Sequence, residues 1–243
     1  MVNSMKGPGL VLLILMLCIS GESLAQKQVN VSNQQWFQYY NTLQIGNQWA
    51  IQSDLGIRFR DELGDLSQTL IRSGIEYQWN NHLRLTAGFA FLTFHLDGVR
   101  TRVEYRPYQE LDLTETYGRV KTQHRFRMEE RFFSATDESG LLSSFNFRYR
   151  YRFQAIIPLI HLKNEKKLVL IVGDEILLNS GKEIIYNIFD SNRILIGPAL
   201  HLSPNMDISV IYNHLFAQKN QPEMFSRTHI VWVGIKHKIS LIN

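Results

Sequence analysis

Arginine and aromatic residues alternate without interruption in the segment SFNFRYRYRFQ, from Ser144 to Gln154. A guanidinium group presents a planar fork of hydrogen-bond donors that matches the oxygens of a carboxylate or a phosphate group. Acidic residues recur at the same two-residue spacing in neighbouring segments. These residue types therefore predict either internal ion pairs or a site for an anionic group.

The candidate charge network combines arginines and glutamates that alternation places on one face. Its members are Arg106, Arg125, Arg127, Arg148, Arg150, Arg152, Arg193, Glu104, Glu110, Glu129 and Glu175. The same face also takes Arg58, Arg60, Arg72, Arg84, Arg131, Asp54, Glu76 and Asp112. Because the acids of 102–115 precede the arginines of 119–133, we expect cross-strand ion pairs in that hairpin. This face would carry twelve arginines and seven acidic residues, and the surplus of positive charge could bind or pass an anion.

These side chains must lie on strands, because only a two-residue period places the arginines and the aromatic residues on opposite faces. Phe145, Phe147 and Phe153 fall on one face of the segment, while Arg148 and Arg150 fall on the other. Similar alternation predicts eleven strands, at 34–45, 49–60, 68–79, 82–96, 102–115, 119–133, 144–159, 167–178, 192–202, 205–216 and 228–242.

Connection lengths alternate along the chain between tight turns and longer loops. Strands of about ten residues joined in this way are typical of an antiparallel transmembrane β-barrel with short periplasmic turns and longer outer loops. Such barrels usually have an even number of strands. We therefore expect about twelve strands, the additional one lying within Gln26 to Gln35, with ten as the alternative. Trp36, Trp49, Trp79 and Phe132 would form aromatic girdles at the interfaces.

A secreted soluble β-sandwich that binds a ligand or partner is the other fold that the alternation permits. Two features favour the barrel. Its strands are longer than the five or six residues usual in soluble sheets, and charges of both signs occur in the middle of strands.

The N-terminal segment has the parts of a secretory signal peptide. Lys6 precedes an apolar run from Leu10 to Ser20, which is too short for a membrane span, and small residues follow it. We expect a signal peptide at 1–25 and a single barrel domain at 26–243. Cys18 is the one cysteine and would leave with the signal, which excludes disulfides, a cysteine nucleophile and thiolate metal sites.

No catalytic constellation is recognisable in the remaining chain. The eight histidines occur singly, no pair has metal-ligand spacing, and no serine lies in a nucleophile elbow motif. His124 is the only base near the acids of its hairpin, and alternation points it toward the apolar side. We therefore expect no enzyme activity, no metal and no cofactor.

The net charge of +4 is scattered rather than gathered in a run. With a secretory address, this distribution does not indicate nucleic acid as a partner. The expected partners are outer-membrane lipid, the barrel-assembly machinery and a small anionic molecule. The functions considered are a structural or interaction role in the cell outer membrane and, as the alternative, a small anion-preferring pore or binder of an anionic solute.

Five segments of the chain resemble the domain of unknown function 2490 family. They are EYRPYQE from Glu104, HRFRMEERF from His124, FRYRYRF from Phe147, GDEI from Gly173 and NRILIGPAL from Asn192. The resemblance runs over most of the mature chain. It implies a bacterial outer-membrane β-barrel without an assigned activity, and it carries over no catalytic residues. The tail WVGIKHKISLIN resembles the last strand that barrel-assembly machinery reads, although it lacks the usual terminal aromatic residue.

Overall fold

A computed structural model describes residues 27–135, 142–162 and 166–242 of the chain. The predicted signal peptide lies outside these ranges. None of the described residues belongs to a helix long and apolar enough to cross a membrane. The strands are β1 (Gln28–Gln44), β2 (Trp49–Arg60), β3 (Asp65–Gln78), β4 (Leu83–Leu96), β5 (Val99–Tyr117), β6 (Val120–Ala135), β7 (Leu142–His161), β8 (Lys167–Ser180), β9 (Phe189–Ser203), β10 (Met206–Gln218) and β11 (Met224–Ser240).

These eleven strands form one closed barrel in chain order, which confirms the all-β barrel and rules out a two-sheet sandwich. Consecutive strands are antiparallel, whereas β1 and β11 close the barrel as a parallel pair. Their matched positions run from Gln28 beside Met224 to Gln44 beside Ser240. In an up-and-down meander with an odd number of strands, the first and last strands point the same way.

The prediction of a wholly antiparallel barrel with twelve strands therefore differs from the structure. The additional strand expected within 26–35 is the first part of β1, because Gln28 to Gln35 pair continuously with β11. A parallel ladder also satisfies the backbone donors and acceptors of both edges. An even number of strands is consequently not needed to close the sheet.

The two rims of the barrel are named after the chain end beside them. β1 begins at the N-terminal rim, and β11 ends at the C-terminal rim. The described connections at the N-terminal rim are 61–64, 97–98, 181–188 and 219–223. The described connections at the C-terminal rim are 45–48, 79–82, 118–119 and 204–205.

Among the described connections, the predicted contrast between short turns and longer loops is weaker than expected, and the predicted loop at 134–143 lies largely outside the described residues. The predicted strands at 82–96 and 102–115 left 97–101 as a loop, but only the two-residue turn Asp97–Gly98 separates β4 from β5. Both turn residues have positive φ, 51° and 76°, as a tight hairpin turn requires, and an Asp-Gly pair supplies them readily. Among the described connections of the N-terminal rim, only 181–188 and 219–223 exceed four residues.

Alternation sorts the side chains between the interior and the outside as predicted from the strand pattern. In β7, Asn146 and Arg148 are buried, whereas Tyr149 and Phe153 are 45% and 36% exposed on the outer surface. Large apolar side chains cover the outer surface around the barrel, among them Leu55, Ile71, Ile75, Phe89, Phe126, Ile194, Val210 and Val231.

Part of the interior is apolar and packs without charged partners. Leu70, Ala90 and Leu92 form one buried cluster, with Phe94 against it. A second cluster contains Val169, Ile171, Leu195, Ala199 and Ile211. The first cluster lies on β3 and β4, and the second lies on β8, β9 and β10.

Candidate functional site: the charged lumen

The barrel encloses a cavity of about 520 Å³. Ten of the eleven residues of the predicted network line it, and the remaining member, Glu104, is fully buried in the wall. Eleven arginines, two lysines and seven carboxylates are among the lining residues. Positive charge therefore exceeds negative charge around the cavity.

Glu129 on β6 is the centre of the largest group of ion pairs. Its carboxylate is 1% exposed and accepts hydrogen bonds from Arg148 Nη2 at 2.5 Å and from Arg150 Nη1 at 2.7 Å. Arg106 and Arg127 approach it at 3.5 and 3.7 Å. One carboxylate thus neutralises part of the charge of four arginines.

Glu175 on β8 plays the same role for the opposite side of β7. Arg125 Nη2 donates to Glu175 Oε1 at 2.5 Å, and Arg150 Nη2 donates to the same oxygen at 2.8 Å. Arg193 from β9 lies 3.3 Å from the other carboxylate oxygen. Because Arg150 contacts both Glu129 and Glu175, it joins the two groups into one network.

The predicted cross-strand pairs between β5 and β6 occur at two positions. Arg131 Nε donates to Glu104 Oε1 at 2.7 Å, and Arg127 donates to Glu110. Arg106, on the same strand as Glu104, also donates to that carboxylate at 2.7 Å. The Glu104 contacts extend the network from Glu129 toward the N-terminal rim, and the Glu110 contact extends it toward the C-terminal rim.

Tyr108 supports the network from a recess that sequence reasoning did not identify. A Cβ added to Gly74 or Gly88 would lie 2.7 or 2.6 Å from the Tyr108 hydroxyl oxygen, so only glycine leaves room for the ring. The guanidinium groups of Arg127 and Arg72 lie 4.8 and 5.5 Å from the ring centroid. The sequence signal for this recess was a pair of inward glycines, Gly74 on β3 and Gly88 on β4, which occupy matched positions.

Trp36 was predicted as an interfacial girdle residue, and the structure instead buries it in the lumen at 3% exposure. It falls on the inward register of β1, and it meets Trp232 edge-on with ring centroids 5.5 Å apart. The guanidinium of Arg58 lies 3.8 Å from its ring centroid. Trp49 and Trp79 are exposed near the C-terminal rim, as a girdle position requires.

The half of the cavity near the C-terminal rim contains cations without carboxylate partners. Arg152 and Lys236 both line the cavity, and neither forms a hydrogen bond or an ion pair within 4.0 Å with any described residue. Tyr40, Gln123 and Gln154 line it as well, and their side chains form no hydrogen bond within the described ranges.

The cavity reaches one rim only, as far as the described residues show. Its lining includes Pro204 and Asn205 of the turn between β9 and β10, and also Lys238 near the end of β11. No described connection of the N-terminal rim contributes to the lining. Apart from Glu104, the charge network and the Leu70 cluster are themselves part of the cavity lining.

His124 points outward, as the alternation predicts, and its Nδ1 lies 2.9 Å from the Tyr151 hydroxyl oxygen. It is therefore remote from the acids of the lumen. Within residues 27–135, 142–162 and 166–242, no three His, Cys, Asp or Glu side chains are grouped to hold a metal ion.

A family model described as "Protein of unknown function (DUF2490)" matches residues 33–225, which spans β1 to the beginning of β11. No curated protein matches the chain.

Proposed function

We propose that this chain, which belongs to the DUF2490 family of proteins of unknown function, is an outer-membrane β-barrel with a structural or interaction role and no catalytic activity. The observation that carries the proposal is the distribution of polarity. Apolar side chains cover the outer surface of a closed sheet, and ion-paired arginines occupy its interior. This arrangement is the reverse of a soluble protein and is typical of membrane barrels.

The apolar outer surface is larger than a soluble monomer tolerates. Exposed large apolar side chains occur on all eleven strands, whereas contiguous apolar patches on soluble monomers rarely exceed a few hundred Å². The strands have 12 to 20 residues, and about 9–11 residues suffice for a tilted strand to cross a bilayer. The outer surface is therefore suited to hydrocarbon.

Polar side chains on the outer surface bind one another across strands. The hydroxyl oxygens of Ser53 and Ser73 are 3.1 Å apart, and those of Thr69 and Thr93 are 2.6 Å apart. Because an unsatisfied polar group in hydrocarbon costs several kcal/mol, such pairing supports contact with lipid.

The alternative of an anion-preferring pore is less well supported. A barrel of about eight strands is filled by its side chains, whereas sixteen or more leave a channel, and eleven strands lie between these limits. The ion pairs of Glu104 and Glu129 occupy the N-terminal half of the lumen. We therefore propose a cavity that opens at one end and does not conduct ions. Insertion by barrel-assembly machinery is part of the proposal, since β11 is an amphipathic terminal strand.

Fractionation combined with gel migration tests this function. We expect the protein in purified outer membranes, with a folded band that shifts on boiling because the closed sheet resists detergent. In planar bilayers, the same preparation should show no conductance. A soluble periplasmic protein without a band shift would refute the membrane assignment, and stable anion-selective conductance would favour the pore.

A further inference from the structure

We propose that the C-terminal half of the lumen binds a small phosphate-bearing solute between Arg152 and Lys236. This inference names a ligand class for the charged lumen. It depends on the barrel interior and not on the proposed location in a membrane.

Arg152 lacks an ion pair because the nearest carboxylate is already occupied. Its neighbour on β8 is Glu175, and the oxygens of that carboxylate bind Arg125, Arg150 and Arg193. On β6 its neighbour is Arg125, another cation. Arg152 is therefore a cation with unused donors that face the cavity.

Lys236 lacks a partner for a similar reason. Its neighbours across the strands are Tyr40 on β1 and Asp207 on β10. His201 contacts the Asp207 carboxylate from β9, and no ion pair joins Asp207 to Lys236. The Lys236 side chain consequently remains accessible in the lumen.

Arg152 and Lys236 line the same cavity. Two like charges that share a partly dehydrated cavity raise the free energy of the empty site. An anion bound between them removes this repulsion and gains two charge-assisted contacts.

Neutral donors surround the same space. The Tyr40 ring packs against Gly234, with its Cε2 3.5 Å from the position that a Cβ on this glycine would take. The Tyr40 hydroxyl makes no hydrogen bond to a described residue. The Gln154 amide lies on the same face as Arg152, and Gln123 pairs with Gln154 across the ladder. These three groups can donate to ligand oxygens that the cations leave free.

This donor set fits a phosphate group better than a carboxylate. A phosphate monoester carries about −1.5 to −2 charge at pH 7 and three strong acceptor oxygens, which matches two cations and several neutral donors. A carboxylate brings one charge and two oxygens. A volume of about 520 Å³ is in the range of small-molecule sites. The cavity therefore has room for the rest of a small solute beside its phosphate group.

Entry is from the C-terminal rim, since Pro204, Asn205 and Lys238 form the described mouth of the cavity. Lys238 adds positive charge there and attracts anions toward the opening. Most of the residues that line the cavity are polar or charged, which suits a soluble phosphate compound better than an acyl chain. We therefore assign a soluble phosphate compound and not a lipid headgroup.

Calorimetric titration of the purified full chain in detergent micelles tests the inference. The probes are inorganic phosphate, glycerol 3-phosphate and acetate, and lysophosphatidic acid tests the lipid source. We expect glycerol 3-phosphate to bind more tightly than acetate, with a change in tryptophan fluorescence because Trp232 lines the cavity. Arg152→Gln and Lys236→Gln should each weaken binding about ten- to a hundredfold, as expected for loss of a charge-assisted contact.

Arg227→Gln is the matched control, because it removes one positive charge from an exposed position of β11 and should leave binding unchanged. Retained heat modifiability shows that each variant is folded. The inference is overturned if no phosphate compound binds, if acetate binds equally well, if lysophosphatidic acid binds more tightly than glycerol 3-phosphate, or if both cavity variants bind like the unmodified chain. A soluble protein that binds phosphate would refute only the membrane assignment, and a heat-modifiable membrane protein that does not bind would refute only this site.

Discussion

At the scale of single residues, the lumen has fewer carboxylates than arginines, so single carboxylates form ion pairs with several arginines. Glu129 and Glu175 each contact at least three arginines, and Arg150 contacts both glutamates. The sequence predicted which side chains face inward, because alternation is a property of each strand. It did not predict that Arg125 would bind Glu175, 50 residues away, because that contact depends on the register between strands.

The first prediction concerns Glu129→Gln. The amide has nearly the same shape but no charge, so the four buried arginines around it would share one carboxylate fewer. We expect the free energy of unfolding to fall by about 3–5 kcal/mol, as for removal of one partner from a buried ion pair. Urea titration of the protein in detergent micelles, followed by the change in gel migration, measures the effect.

Glu62→Gln provides the control for this experiment, because Glu62 is exposed in the turn between β2 and β3. Its stability should change by no more than about 0.5 kcal/mol. A loss below 1 kcal/mol for Glu129→Gln would show that the network contributes little to stability, and bracing would then be the wrong interpretation of these ion pairs.

At the scale of the strands, alternation predicted eleven segments and their faces, but the expectation of an even number added a twelfth strand that the structure lacks. The strand ends and the closure were not predicted. The residues Asp65 to Ser67 were predicted as part of a loop, yet they begin β3, because strand ends near a rim carry polar residues on both faces. Closure depends on which two edges meet. No local pattern distinguishes a parallel from an antiparallel partner for β1.

The second prediction tests the parallel closure with paired cysteines. Val31 and Arg227 are matched positions of β1 and β11, and both side chains are exposed. With Cys18 replaced by Ser, the variant Val31→Cys/Arg227→Cys should form a disulfide under mild oxidation. Matched positions on paired strands bring the two Cα atoms within the range of about 4.4–6.8 Å that a disulfide usually requires. Migration on a non-reducing gel after denaturation reports the bond.

A second pair, Val31→Cys/Ile235→Cys, is the comparison. Ile235 lies eight positions further along β11, roughly 26 Å at the rise of an extended strand, so no intramolecular bond should form. Cross-linking of this pair in place of the matched pair would contradict the parallel register.

At the scale of the whole molecule, the outer surface and the lumen have opposite polarity, and the proposal of a membrane barrel depends on that contrast. The outward Asp174 is the clearest departure from an apolar surface. Its two carboxylate oxygens each lie 3.0 Å from Asn192 Nδ2, so an amide partner on the next strand compensates for the charge. Ser53 with Ser73 and Thr69 with Thr93 are further pairs across neighbouring strands.

The third prediction concerns Phe126→Arg in the middle of β6, where the ring is 51% exposed. If this position faces hydrocarbon, the substitution should lower the free energy of unfolding in lipid vesicles by about 2–4 kcal/mol. Tyr117→Arg, at the end of β5, should cost only about 0–1 kcal/mol because it lies near an interface. Equal effects at both positions would indicate that water covers the whole outer surface.

The parallel pairing of β1 with β11 has a consequence for topology. An even number of crossings returns a chain to the side from which it started, whereas eleven crossings do not. A tag placed before Gln28 and a tag placed after Ser240 would therefore be accessible from opposite faces of any layer that the barrel spans. A protease confined to one compartment would remove one tag and spare the other.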